Sequence, residues 1–151
     1  MATKLPRRGE ERPTDLTTLL RGAYVSLNGL AVARLAERGH EAVRPAHGAV
    51  FQYLDDTGTT VTVLAERAQM TKQAMAELVA QLETHGYVIR VSDPNDRRAK
   101  LVLPTARGQE LFTVVQKLVP KMEQRIRSTV GKKRARELCT DLEKLRRLES
   151  L

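Results

Sequence analysis

The chain has 151 residues, enough for one domain with short extensions, and its single cysteine excludes an intramolecular disulfide. Aromatic residues make up only 3% and tryptophan is absent, so the core must be mostly Leu, Val and Ala, which favours packed helices over a β-sandwich. A net charge of +8 favours nucleic acid, an anionic membrane or an acidic protein as partner. No apolar run reaches the roughly 18 residues that span a bilayer, so we expect a soluble, cytoplasmic protein with no membrane partner.

The first part of the chain predicts a tail followed by a long helix. Residues 1–13 combine prolines with a charge cluster and are expected to be flexible. Thr14 or Asp15 can cap the helix, and apolar residues then recur at helical spacing as far as Leu35, with an end near Gly39–His40. Because this helix is apolar on more than one face, we expect it to pack against more than its own domain.

Three further helices are predicted before residue 87. Pro45 can open the second helix at its first turn, and the Asp55–Gly58 turn stops it. The short run Thr59–Val61 fits an isolated β-bridge. A third helix covers Val61–Ala68, and a fourth covers Thr71–Gly86, with glycine as its left-handed stop.

The fourth helix is amphipathic. The Thr71 hydroxyl can cap it by accepting from the amide of Ala74. Leu, Val and Met side chains form its buried stripe, at Met75, Leu78, Val79 and Leu82. A recognition helix reads base edges with its N-terminal residues, so the opposite face is the candidate DNA-reading surface. It carries Thr71, Lys72, Gln73, Ala76 and Glu77.

A β-hairpin is predicted next, from Val88–Ser92 and Ala99–Leu103. Basic residues on a protruding turn can enter a minor groove, where the negative potential is deep. The basic residues of this hairpin are Arg90, Arg97, Arg98 and Lys100. Asp93 and Asp96 are expected either to hold the turn or to orient an arginine.

Two helices are predicted after the hairpin. Thr105 caps the first, Pro120 is expected to kink it or end its first part, and Gly131 breaks it. The last helix covers about Lys132–Leu148. Its opening basic cluster, Lys132–Arg136, is interpreted as solubilising surface.

This order of elements predicts a mainly α fold with a small β-wing, a winged helix-turn-helix whose partner is double-stranded DNA. Residues 14–151 are predicted to form one domain: a DNA-binding lobe, residues 45–104, between dimerisation helices at 14–40 and 105–151. The first and last helices carry more apolar surface than such a lobe can cover. A two-fold homodimer would bury that surface and place two recognition helices roughly 34 Å apart.

The stretch Val61–Gly108 resembles the MarR (multiple antibiotic resistance regulator) family, most specifically in Asp96–Arg98 (DRR) and Thr105–Gly108 (TARG). The resemblance implies a homodimeric repressor on a pseudo-palindromic operator, released by a small ligand. The candidate ligand residues named below favour an aromatic or phenolic one. It implies that Arg98 enters the minor groove and that Asp96 braces it, with Lys72, Gln73 and Ala76 on the recognition face. Many relatives have a hydroxyl residue followed by arginine where this chain has Ala76 and Glu77.

No catalytic, cofactor or metal motif is found, and an enzyme is not expected. His40 and His85 fall near helix C-termini, where a structural role is expected. Cys139 lies beside leucines and is expected to be buried and inert. Four residues are candidates for a ligand pocket: Tyr24, Arg44, His47 and Phe51. They combine aromatic rings with nearby cations, which suits a small aromatic acid as ligand. The alternative is that they are only core and surface residues with no pocket.

Two other functions fit the same residues. A non-specific architectural protein would bind DNA with little preference between sequences. A winged-helix protein-interaction module would use its basic surface on an acidic partner and would bind no duplex at physiological salt.

Overall fold

The computed structural model describes residues 7–12 and 14–148. The predicted tail falls in part on residues 1–6 and 13, outside the described residues, and its flexibility stays a prediction. The helices are α1 Leu16–Ala36, α2 Gly48–Tyr53 (preceded by a single 3-10 turn, Pro45–His47), α3 Val61–Arg67, α4 Lys72–Thr84, α5 Ala106–Val130 and α6 Lys132–Arg146. The strands are β1 Thr59–Thr60, β2 Val88–Ser92 and β3 Lys100–Pro104. The predicted fold class, a mainly helical winged helix, is confirmed.

Side-chain caps start the helices where the sequence predicts them. The Asp15 carboxylate accepts from the amide of Thr18 at 2.7 Å, so Asp15 rather than Thr14 is the cap of α1. The Thr71 hydroxyl accepts from the amide of Ala74 at 3.1 Å. At the far end of α4, Gly86 has a φ of +76°, the left-handed conformation expected of a C-terminal stop.

The three strands form one antiparallel sheet in the order β1-β3-β2. Thr59 pairs with Val102, so the short segment predicted as an isolated bridge is the outer strand of the wing. β3 starts at Lys100, one residue later than predicted. Ala99 instead belongs to the turn, where its amide donates to the carbonyl of Asp96 and its carbonyl accepts from the amide of Asp93.

α5 continues through Pro120 and ends at Gly131, which has a φ of +94°. Of the two effects predicted for Pro120, an end to the first part of the helix is wrong, and a kink stays a prediction. Proline removes one backbone donor from the helix interior. Pro120 is exposed, so water can bond the carbonyl that lacks this partner, and the turns on both sides persist.

The core lies between α2, α3, α4, the sheet and the first half of α5. In α1, only Leu35 is buried. Leu78, predicted to be buried with the α4 stripe, is only half-buried. The largest fully buried side chains are Val50, Leu64, Met75, Val79, Leu82, Tyr87, Val88, Val102 and Leu111, together with His47.

The first turn of α5 packs directly on the junction between α4 and β2. The amide of Thr105 donates to the carbonyl of Tyr87 at 3.1 Å, and the Thr105 hydroxyl donates to the carbonyl of Gly86 at 2.5 Å. A Cβ atom on Gly108 would overlap the carbonyl oxygen of Tyr87, so only glycine permits this approach.

We therefore predict that Gly108→Ala lowers the free energy of unfolding by about 1–3 kcal/mol, because two backbone segments must separate to admit the methyl group. Urea denaturation measures the change. Gly48→Ala is the matched control: it is also helical and its Cβ would meet nothing within 4 Å, so it should be neutral or slightly stabilising. Equal stability of the two variants would contradict the close approach.

Candidate nucleic-acid interface

The turn between α3 and α4 sets the angle of the predicted recognition helix. The Thr60 hydroxyl caps α3 by accepting from the amide of Val63 at 3.3 Å. Gln69, in the turn, has a φ of +54°, and the amide of Met70 donates to the carbonyl of Ala65 at 2.9 Å. A left-handed residue other than glycine is strained, so this turn is held by the contacts around it.

α4 buries Met75, Val79 and Leu82 on one side. The predicted reading face is on the other, where Thr71, Lys72, Gln73 and Glu77 are exposed and Ala76 is half-buried. The polar side chains of the first turns are therefore available to base edges or phosphates, as a recognition helix requires.

Both acids of the wing turn hold its backbone. The Asp93 carboxylate accepts from the amide of Asn95 at 2.8 Å, and the Asp96 carboxylate accepts from the amide of Arg98 at 3.0 Å. Asp96 thus braces Arg98 through the main chain. The Arg98 side chain remains exposed at the edge of the wing, and Arg97 is exposed beside it.

A groove of about 410 Å³ lies between the N-terminal end of α4 and the wing. It brings together five of the predicted DNA-contact residues, while Thr71, Gln73, Ala76, Glu77 and Arg97 lie outside its lining. The groove is lined by Thr60, Val61, Thr62, Lys72, Arg90, Asp96, Arg98, Ala99 and Lys100. Sequence reasoning missed the contribution of the α3 start. The pairing of Thr59 with Val102, which brings that start to the wing, is the signal that would have found it.

Arg90 is partly committed to an ion pair. Its Nη2 and Nε donate to one carboxylate oxygen of Glu83 at 2.7 Å and 3.0 Å. This hydrogen bonding lowers the pKa of Glu83 below its ordinary value. The pair joins β2 to the last turns of α4, so Arg90 orients the wing on the recognition helix as well as facing the groove.

His47 is buried and both of its ring nitrogens are bonded. Nδ1 accepts from the amide of Arg44 at 3.0 Å, which leaves Nε2 to carry the proton that is donated to the Gln81 side-chain oxygen at 2.9 Å. Burial lowers the pKa of His47, and the charge of Arg44 lowers it further, while the bond to Gln81 acts in the opposite direction. His47 therefore ties the 3-10 turn to α4 as a neutral side chain.

The structure does not gather the four predicted ligand residues at one cavity. Tyr24 is 61% exposed on α1, and Phe51 packs edge-on against the Tyr87 ring. A cavity of about 660 Å³ lies instead between α1 and α5. Its apolar lining is Leu27, Leu30, Ala31, Ala33, Leu118 and Met122, and its charged lining is Arg34, Glu37, Arg38, Lys121 and Arg125.

Cys139 is exposed on this chain, so the expectation that it is buried is wrong. α6 buries only Ala135, and the neighbouring leucines Leu138 and Leu142 are exposed as well. His85 does take the structural role expected at a helix end, since its Nδ1 donates to the carbonyl of Gln81 at 2.8 Å.

Within residues 7–12 and 14–148, no three His, Cys, Asp or Glu side chains are grouped so that they could hold a metal ion. Over the same part of the chain, no helix combines the length and the apolar character needed to cross a membrane.

Comparison with known proteins identifies the relatives of this chain. A family model described as the MarR family matches residues 43–99. The transcriptional regulator HosA of Escherichia coli O111:H- is 32% identical over 93 residues, which cover 60% of this chain and 69% of HosA.

Solved structures extend the likeness to most of the chain. The transcriptional regulator PA4135 is 27% identical with a TM-score of 0.70, covering 92% of this chain and all of that one. Staphylococcus aureus MepR in complex with DNA has a TM-score of 0.73 at 20% identity, over 88% of this chain and 97% of MepR. CouR of Rhodococcus jostii RHA1, bound to p-coumaroyl-CoA, has a TM-score of 0.69 at 22% identity, over 91% and 95%.

The buried neutral His47 predicts a pH dependence of stability. Because folding lowers its pKa, the unfolded chain binds more protons below the ordinary histidine value of about 6.5, and stability is lost as pH falls through that range. His47→Asn keeps an acceptor near Nδ1 but cannot titrate. Urea denaturation measures the free energy of unfolding of the parent chain and of this variant. The difference between the two should be largest at about pH 8 and should become smaller towards about pH 5.

A constant difference for His47→Asn would mean that His47 does not govern the acid sensitivity.

Proposed function

Since this chain belongs to the MarR family of DNA-binding transcriptional regulators, we propose that it acts in the cytoplasm as a homodimeric repressor of a pseudo-palindromic operator. Members of this family are not enzymes, so the expectation of no catalytic function is confirmed. The observation that carries the proposal is the single groove in which Lys72 of α4 meets Arg98 and Lys100 of the wing. One basic surface then spans a helix that fits a major groove and a turn that fits a minor groove.

Exposed leucines support the homodimer. Leu16, Leu19 and Leu30 of α1 are between 54% and 60% exposed, and Leu138 and Leu142 of α6 are 44% and 38% exposed. Apolar surface of this extent is unfavourable in water and favours association. A two-fold pairing through α1, α5 and α6, the helices of residues 14–40 and 105–151, would bury it and present two DNA-binding lobes to one face of the duplex.

The DNA contacts follow from side-chain chemistry. Gln73 pairs with adenine in the major groove, and Lys72 donates to guanine or phosphate. Arg98 reaches into the minor groove beside the operator half-site. The complex of MepR with DNA is consistent with this use of the fold.

We further propose that a small aromatic acid releases the repressor. The cavity between α1 and α5 supports this, because its apolar walls are accompanied by the cations Arg38, Lys121 and Arg125. CouR, a structural neighbour, is bound to p-coumaroyl-CoA, an aromatic acyl thioester. Tyr24, Arg44 and Phe51, the contacts predicted from the sequence, lie outside the lining of this cavity and stay a separate proposal. Addition of benzoate or p-coumarate, two small aromatic acids, to the DNA complex gives the first test: dissociation supports the effector, and an unchanged complex counts against this class.

The repressor is tested by selecting bound duplexes from a random DNA pool at about 150 mM salt, where non-specific binding is weak. We expect an enriched inverted repeat, because a two-fold dimer reads the same half-site twice. Binding without enrichment would establish the architectural alternative. No binding to any duplex would favour the protein-interaction alternative and overturn the proposal.

Arg98→Ala is expected to weaken binding to the selected duplex by about 1–3 kcal/mol, since it removes a charged contact at the wing. Fluorescence anisotropy measures the affinity. Lys133→Ala is the control: it removes the same charge from the start of α6, outside the groove, and its side chain is 90% exposed. Equal losses of affinity in the two variants would show that binding depends only on the net charge of the protein. The proposed contact of the wing with DNA would then be wrong.

A further inference from the structure

Arg107, in the first turn of α5, bonds the ends of two other helices. Its Nη1 donates to the carbonyl of His85, the C-terminal cap of α4, at 3.2 Å. Its Nη2 donates to the carbonyl of Gly39, in the turn that follows α1, at 3.4 Å. One planar guanidinium therefore joins α1 and α4, which are otherwise distant in the sequence, to α5.

The electrostatics of this position favour a cation. The C-terminal end of a helix carries unpaired carbonyls and a partial negative charge. Arg107 meets the C-terminal cap of α4 at His85 and the turn after α1 at Gly39. A guanidinium can present separate N–H groups to each, which a lysine ammonium cannot do in one fixed geometry.

The guanidinium of Arg107 lies over the aromatic ring of Tyr87. The Arg107 Cζ lies 4.6 Å from the centroid of the Tyr87 ring, an attractive cation–π arrangement. Tyr87 is fully buried, and its hydroxyl lies 3.0 Å from His40 Nδ1. Among the residues that the structure describes, His40 Nε2 has no hydrogen-bond partner. His40 follows Gly39, so Tyr87 reaches the same turn after α1 that Arg107 bonds.

We propose that Arg107 is a positioning residue that fixes the DNA-binding lobe on the dimerisation helices and so sets the half-site spacing that the dimer accepts. The inference rests on the proposed function, because spacing has meaning only for a two-lobed dimer. Arg107 touches α4 at the end remote from the reading residues Lys72 and Gln73, so it acts on recognition through orientation and not by reading bases.

Loss of this cluster has a specific consequence for binding. Two linked modules gain affinity only when the link holds both at the spacing of their sites. A dimer whose lobes swing more freely still recognises each half-site but loses the bivalent advantage at the preferred spacing. It also discriminates less against operators lengthened or shortened by a base pair.

The test compares the parent chain with Arg107→Ala on the selected operator, on the same operator with its half-sites respaced, and on an isolated half-site. We expect Arg107→Ala to bind the selected operator about tenfold more weakly and to bind the isolated half-site within about twofold of the parent. Its preference for the original spacing over the respaced operators should shrink by a similar factor. Arg107→Lys, which keeps the cation over the ring, should restore part of that preference.

The matched control is Arg67→Ala. Arg67 Nη1 donates to the Tyr53 carbonyl and the Asp55 carboxylate, both at 2.8 Å, so it is an arginine that braces elements inside the DNA-binding lobe. It should lower the melting temperature without changing the spacing preference. The inference is overturned if Arg107→Ala keeps the parental spacing preference, or if both Arg107 variants lose folding or dimerisation. If the parent chain itself enriches no inverted repeat, it is the proposed function that fails.

Discussion

Tyr87 brings a ring, a hydroxyl and a carbonyl oxygen to the place where the ends of α1 and α4 meet the start of α5. Its carbonyl accepts from Thr105 and leaves no room for a side chain on Gly108. Its ring carries Arg107, and its hydroxyl meets His40. Because β2 follows Tyr87 directly and α5 follows β3, the packing of this one residue bears on how α4 and the wing are oriented relative to the long helices.

Local chemistry accounts for most of the fold that sequence reasoning predicted. A helix cap such as Thr71 or a left-handed stop such as Gly86 depends only on its immediate neighbours. A short stretch of sequence is therefore enough to predict where such a helix begins or ends. The alternation of buried and exposed positions in α4 is equally local. The predicted start of β3 was wrong by one residue, because Ala99 can belong either to the strand or to the turn and the structure places it in the turn.

The parts that sequence reasoning did not predict depend on contacts between distant residues. The local sequence around Glu83 does not indicate that it pairs with Arg90 across a tight turn. The local sequence around Arg107 likewise does not indicate that it donates to the carbonyl of Gly39. Sequence reasoning grouped His47 with other candidate ligand residues, whereas both of its ring nitrogens are hydrogen-bonded inside the fold. Cys139 was expected to be buried from its leucine neighbours, but a single chain offers α6 no surface to cover them.

The length of α5 separates two basic regions of the molecule, the wing and the start of α6. At 25 residues the helix is roughly 37 Å long, which separates the wing from the basic cluster Lys132–Arg136 by several Debye lengths at physiological ionic strength. Only counterions displaced near the duplex contribute to the salt dependence of binding. In the proposed DNA complex, the exponent of that dependence reports the basic residues around the wing groove, and two relatives with equal net charge can differ widely in it if they distribute lysine and arginine differently along this helix.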